Sequence, residues 1–171
     1  KVKIVTYPIT TEKILASRDY KLYDAQNKLL STASSTWTIL NLSTRKLERI
    51  PLKYKDMVAP EEEQILEPPS SKFRRPTEFE FIKEFSPNYY DTDWNDHVNN
   101  IYFIKSMIES TPLEILKTQK IKELTYHIRS ESLLGDQLVI GGQKLSENAF
   151  IYQVKNKESD KAISYGEVVW T

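Results

Sequence analysis

Along the first fifty residues, short runs rich in β-branched and aromatic side chains are separated by turn compositions. Val2-Lys3-Ile4-Val5-Thr6-Tyr7 and Tyr20-Lys21-Leu22-Tyr23 read as strands. Asp24-Ala25-Gln26-Asn27 reads as a turn, and extended chain resumes over Lys28–Ala33 and Ser35–Leu40. The pattern predicts a hairpin with a long return strand. Between Pro51 and Pro76 it breaks: Pro60, the acidic run Glu61-Glu62-Glu63, Pro68-Pro69-Ser70-Ser71 and Pro76 predict a linker or surface crossover in solvent.

From Glu78 the periodicity returns. Phe79, Phe81 and Phe85 predict a strand that Pro87-Asn88 ends. Val98 to Ser110 reads as a helix. Its apolar residues Val98, Ile101, Tyr102, Phe103, Ile104, Met107 and Ile108 occupy most of the circumference, which predicts burial on most sides. Asp93, Asn95 and Asp96 precede it as capping residues. Thr111-Pro112 opens a second short helix through Leu116, with proline at a tolerated first-turn position. Strands are then predicted over Ile121–Leu133, over Gln137–Ile140 after the Gly135-Asp136 turn, over Phe150–Val154 and over Ala162–Trp170. The expected class is α+β, one buried helix wrapped by an antiparallel sheet.

Both segments end in a strand-turn-strand unit whose return strand carries small residues before a tryptophan. These are Ala33-Ser34-Ser35-Thr36-Trp37, and Ser164-Tyr165-Gly166 ahead of Trp170. Counted back from Trp37, the spacing that separates Val98 from Trp170 falls before Lys1. If the segments are copies, the leading strand and helix of the first lie upstream of this chain.

With 171 residues the chain can bury a real core. Its 24 basic residues balance its 24 acidic ones, which gives no electrostatic argument for nucleic acid or an anionic membrane. There are no cysteines, so disulfides, thiolate metal sites and a cysteine nucleophile are excluded. The two histidines, His97 and His127, leave little material for a metal centre. No apolar run approaches the roughly 20 residues of a membrane span, and no signal peptide is read. The expected compartment is the cytoplasm.

The chemically informative stretch is Asp93-Trp94-Asn95-Asp96-His97-Val98-Asn99-Asn100. On an extended loop, Asp93, Asn95 and His97 at alternate positions point the same way. A histidine exchanges protons near neutral pH, a carboxylate can orient it or a water, and an amide can hold a carbonyl. A following helix N-terminus can stabilise developing negative charge. The plainer reading is a helix cap with a histidine packed at its first turn, and the pattern alone leaves both open.

This D-x-N-x-H-V-N-N pattern, with Ile101-Tyr102-Phe103-Ile104 and Glu109-Ser110-Thr111-Pro112 after it, resembles the acyl-ACP thioesterases. The resemblance extends to Tyr7-Pro8, Arg18-Asp19-Tyr20, Ala33 to Trp37 and Asn41 to Leu47, leaving only the linker poorly matched. It implies a double hotdog fold: the later part of a first hotdog, short of its N-terminal elements, over 1–50, a linker over 51–77 and a second hotdog over 78–171. It implies hydrolysis of the fatty acyl thioester of acyl carrier protein, without metal or bound cofactor. Asp93, Asn95 and His97 carry over as active-site residues, and Glu131, on the strand after the helices, matches a family glutamate. Ser132 stands where many plant members have cysteine, which favours attack by water over a protein nucleophile, with a serine nucleophile as the alternative. Glu131 could instead be a surface carboxylate paired with a lysine. His127 has no motif match and reads as structural. Asn99 and Asn100 shape the first helical turn, with Asn99 reaching the site as the alternative. The expected partner is acyl carrier protein, with no nucleic acid or membrane partner and with a homodimer among the allowed assemblies. The alternatives are an acyl-CoA thioesterase or dehydratase on the same scaffold, or a non-catalytic acyl-binding module.

Overall fold

A computed structural model of the chain describes residues 1–57, 64–66 and 73–171. Pro60, Glu61–Glu63 and Pro68–Ser71, on which most of the linker reading rests, lie outside the described residues. The chain forms two compact units, Lys1–Ser70 and Ser71–Thr171.

The first unit is built on three antiparallel strands in chain order, β1 (Lys3–Glu12), β2 (Leu15–Tyr23) and β3 (Leu29–Trp37). Lys13, at φ +47°, turns β1 into β2. Between β2 and β3 the Asp24 carboxylate accepts from the Gln26 and Lys28 N–H groups, and Asn27 takes a left-handed conformation that asparagine tolerates. The two extended runs expected over 28–40 thus form one continuous strand up to Trp37. A small hairpin, β4 (Ile39–Leu40) and β5 (Leu47–Glu48), and a 3₁₀ turn over Leu52–Met57 follow. Burial here is modest. Tyr7, Ile9, Ser17 and Asp19 are enclosed, whereas Ile4, Leu15, Leu30 and Trp37 stay exposed. An apolar groove of about 350 Å³ runs between Pro8, Ala16, Trp37, Ile39, Tyr54 and Met57.

The second unit carries the larger core. Its strands are β6 (Phe81–Phe85), β7 (Ile121–Ile128), β8 (Leu138–Ser146), β9 (Ala149–Asn156) and β10 (Ala162–Trp170). They form one antiparallel sheet in the order β6-β8-β9-β10-β7. Helix α1 (Asn100–Glu109) lies across the face of this sheet, and α2 (Leu113–Thr118) follows it. Leu138, Ile140, Phe150, Tyr152, Val154, Val168 and Trp170 meet Val98, Phe103 and Met107 from the helical side. Phe103 and Met107 are four residues apart and so share one helix face.

The helix comes this close because Gly166 has no side chain: a Cβ there would lie 2.5 Å from the Met107 sulfur. At the C-terminal end of α1, the Thr111 hydroxyl and the Tyr152 phenol hydrogen-bond at 2.6 Å, both out of solvent. Burial pushes the Tyr152 phenol up to about 12, and the Thr111 hydrogen bond offsets part of that rise.

Three expectations about helices need correction. Helix α1 begins at Asn100 rather than Val98, because Val98 is extended and bridges Thr92. It is also buried along one face only: Phe103, Ser106 and Met107 are enclosed while Ile101 is exposed. Likewise α2 starts at Leu113, with Pro112 as its N-cap residue.

Candidate active site

The loop from Asp93 to His97 is not the extended ribbon expected. Asp93 N–H donates to the His97 carbonyl at 2.7 Å, and Asp96 N–H donates back to the Asp93 carbonyl at 3.1 Å. Asp96 takes φ +61°, a conformation open to aspartate. The Asp93 carboxylate turns inward, and its Oδ1 accepts from the Asn95 N–H at 2.8 Å and the His97 N–H at 3.4 Å. Asp93 therefore caps this loop and not the helix. The helix cap is Asn99, whose side-chain oxygen accepts from Ile101 N–H at 3.0 Å. Asn99 thus shapes the first helical turn, as the sequence implied, and its side-chain oxygen is committed to that role. Of the other two residues expected to cap α1, Asn95 and Asp96 lie outside its first turn, in the Asp93-capped loop.

Behind the loop the chain is stitched to its surroundings. Asn99 N–H donates to the Asp91 carbonyl at 2.7 Å, and Asn88 N–H donates to the Asp91 carboxylate at 2.8 Å. His97 bridges Leu133, and Val98 N–H donates to the Ser132 carbonyl at 2.8 Å. This pairing brings Glu131 to the histidine. Glu131 Oε2 lies 3.8 Å from His97 Nε2, with the two side chains 37% and 34% exposed. That separation exceeds a direct hydrogen bond, so the pair faces each other at a partly wet surface.

Glu131 is not on a strand, as the sequence had implied. β7 ends at Ile128, because the Ile163 carbonyl accepts from both the Arg129 and Ser130 N–H groups and the β7–β10 ladder stops there. Ser132 is 1% exposed, and its hydroxyl donates to Asp136 Oδ2 at 2.7 Å. Burial keeps this hydroxyl from a substrate in solvent, which weighs against the serine-nucleophile alternative. The Asn95 side chain stands in solvent beside Trp94, itself 91% exposed. The structure thus brings His97 and Glu131 together, puts Asp93 beneath them as a backbone anchor and leaves the Asn95 amide outward.

His127 is elsewhere. It stacks on Phe73 on the outer face of the sheet, with ring centroids 5.3 Å apart, and its structural reading fits that placement. Among the described residues no group of three His, Asp or Glu side chains is arranged to hold a metal ion. Asp136 was read from the sequence only as a turn residue. The Ser132-x-x-x-Asp136 spacing was the available signal of its contact.

The model of the acyl-ACP thioesterase C-terminal domain matches residues 74–171, and that of the N-terminal domain matches residues 1–59. A chloroplastic palmitoyl-acyl carrier protein thioesterase of Cuphea hookeriana is 31% identical over 137 residues, covering 76% of this chain and 33% of that protein. A chloroplastic acyl-[acyl-carrier-protein] hydrolase of Cuphea viscosissima is 32% identical with the same coverage. The chain thus spans about a third of the length of these curated relatives. Among solved structures, an acyl-ACP thioesterase from Bacteroides thetaiotaomicron matches with a TM-score of 0.85 at 25% identity, covering 99% of this chain and 68% of that one. The 12:0-ACP thioesterase from Umbellularia californica matches in fold with a TM-score of 0.80 at 19% identity, over 99% of this chain and 67% of that one. The fold is that of the hotdog thioesterases, and the chain belongs to the acyl-ACP thioesterase family.

Proposed function

We propose that this chain carries the catalytic residues for hydrolysis of a fatty acyl thioester on acyl carrier protein. The observation that carries the reading is the approach of Glu131 to His97, held by backbone pairing between the two loops, in a chain matched by both domain models of the family. Water adds to the thioester carbonyl carbon, the carbon–sulfur bond breaks, and the products are a fatty acid and the pantetheine thiol. His97, beside Glu131, takes a proton from the attacking water and returns one to the departing sulfur. Glu131 orients the imidazole and the water. The outward Asn95 amide donates to the carbonyl oxygen as negative charge develops. Asp93 acts through the backbone, keeping His97 in place.

The test is a hydrolysis assay of the 171-residue chain and its variants on acyl-ACP and on acyl-CoA of matched chain length. Asn95→Ala and Glu131→Ala should each lower kcat by about a hundredfold or more. Variants that turn over like the wild type would reject the site. Preference for acyl-CoA would reject the carrier-protein substrate, and binding of acyl groups without turnover would favour a non-catalytic module.

A further inference from the structure

Asp93 fixes the histidine side of the His97–Glu131 pair through two backbone N–H groups, and Glu131 itself lies outside regular structure. Glu131 lies in the connection between β7 and β8, beyond the end of the ladder. Within that connection, two bonds converge on a single carboxylate oxygen. Asp136 Oδ2 accepts from the Ser132 hydroxyl at 2.7 Å and from the Leu133 N–H at 3.0 Å. Asp136 N–H donates to the Leu133 carbonyl at 3.2 Å, closing the turn from the other side. Gly135 gives this turn its left-handed residue, at φ +95°.

The two residues gathered by Asp136 are the ones that meet the histidine loop. The Ser132 carbonyl receives the Val98 N–H, and Leu133 bridges His97. Glu131 is their immediate chain neighbour. Ser132 is almost fully buried, so its hydroxyl needs an acceptor within the protein. Removing the carboxylate would leave that hydroxyl without an acceptor in a dry position, which favours a shift of the segment away from Val98.

We propose that Asp136 is a positioning residue: by holding Ser132 and Leu133, it sets the approach of Glu131 to His97. The kinetic part rests on the hydrolytic reading above, whereas the structural part does not. The experiment therefore has two arms on the 171-residue chain with Asp136→Ala, Asp136→Asn and Ser132→Ala.

The first arm is amide hydrogen exchange. Asp136→Ala should speed exchange at Val98 and Leu133 by about tenfold or more, while Tyr152 and Val154 in β9 keep their protection. Asp136→Asn retains an acceptor and should stay near wild type. Ser132→Ala removes one of the two donors and should give a smaller acceleration, which keeps the proposal testable should Asp136→Ala fail to fold. The second arm is hydrolysis of acyl-ACP, where Asp136→Ala should lower kcat by about tenfold or more with KM within about twofold, and Asp136→Asn should rescue.

Unchanged Val98 exchange in Asp136→Ala overturns the proposal. So does damage in Asp136→Asn equal to that in Asp136→Ala, since charge rather than the acceptor would then be responsible. Faster exchange with unchanged kcat overturns the link to catalysis. A wild-type chain without hydrolytic activity rejects the proposed function, and the exchange arm alone then decides what Asp136 holds.

Discussion

Asp93 receives two N–H groups of its own loop on one carboxylate oxygen, so the start of the His97 side chain is fixed by a residue four positions earlier. An amide oxygen at the same place can accept the same two hydrogen bonds, whereas a methyl group cannot. Asp93→Ala is therefore expected to lower kcat by about tenfold to a hundredfold, and Asp93→Asn by much less, in an acyl-ACP hydrolysis assay. Equal losses in the two variants would mean that the charge of Asp93 acts on the substrate directly. At this scale the residue types of the site were legible, because aspartate, asparagine and histidine at alternate positions are few and distinctive. Their directions were not. The left-handed Asp96 turns the chain between Asn95 and His97, so alternation along an extended strand does not describe where the side chains go. Asn99 shows the same limit in reverse. Several residues before α1 could have capped it, and only the extended backbone of Asn99 directly before the first helical residue selects one.

Elements were legible where periodicity and tertiary pairing agree. β10 spans Ala162 to Trp170 as the sequence predicts, with both neighbours paired along most of its length. β7 was read too long. Residues 129–133 hold no proline or glycine to end a strand, but the Ile163 carbonyl takes both the Arg129 and the Ser130 N–H, and no local signal reveals that. The start of α1 was misplaced for a related reason: Val98 continues the apolar spacing of the helix but spends its N–H on Ser132.

The segment before β6 is held to the sheet by rings. Phe73 stacks on His127 and lies 5.9 Å from Tyr165, and the Arg75 guanidinium sits over the Tyr165 ring. Burial, reinforced by the Arg129 charge, holds the His127 imidazole below its ordinary value of 6.5. The unfolded chain therefore binds this proton more readily than the folded one. The stability tied to neutral His127 is complete above about pH 6.5 and is lost as pH falls through the lower folded value. Thermal melts at pH 7 and pH 5 should show a smaller acid-induced drop in Tm for His127→Gln than for the wild type. Equal drops would remove His127 from the acid response.

At the scale of the whole chain, one helix packed on an antiparallel sheet was legible from the pattern of strands and helix, and the hotdog fold came from the family resemblance. The division of the first fifty residues was less so. Their strands are well formed, but many of their apolar side chains face solvent, and pattern alone could not say which face would be covered. The two units also differ in how their single methionines are housed. Met57 is 62% exposed, whereas Met107 is 2% exposed and rests its sulfur against the bare backbone of Gly166. A surface too tight for a methyl carbon is also too tight for a sulfoxide oxygen. Peroxide should thus oxidise Met57 at the rate of a free thioether, with Met107 slower by about tenfold or more and paced by openings that lift α1 from the sheet. Peptide mass spectrometry over a time course reads both rates in one sample, and equal rates would show that α1 is not held down. Once formed, the sulfoxide would prevent α1 from seating again. The glycine that lets the helix approach so closely would then make oxidation at Met107 a one-way step, undone only by an enzyme that reduces the sulfur.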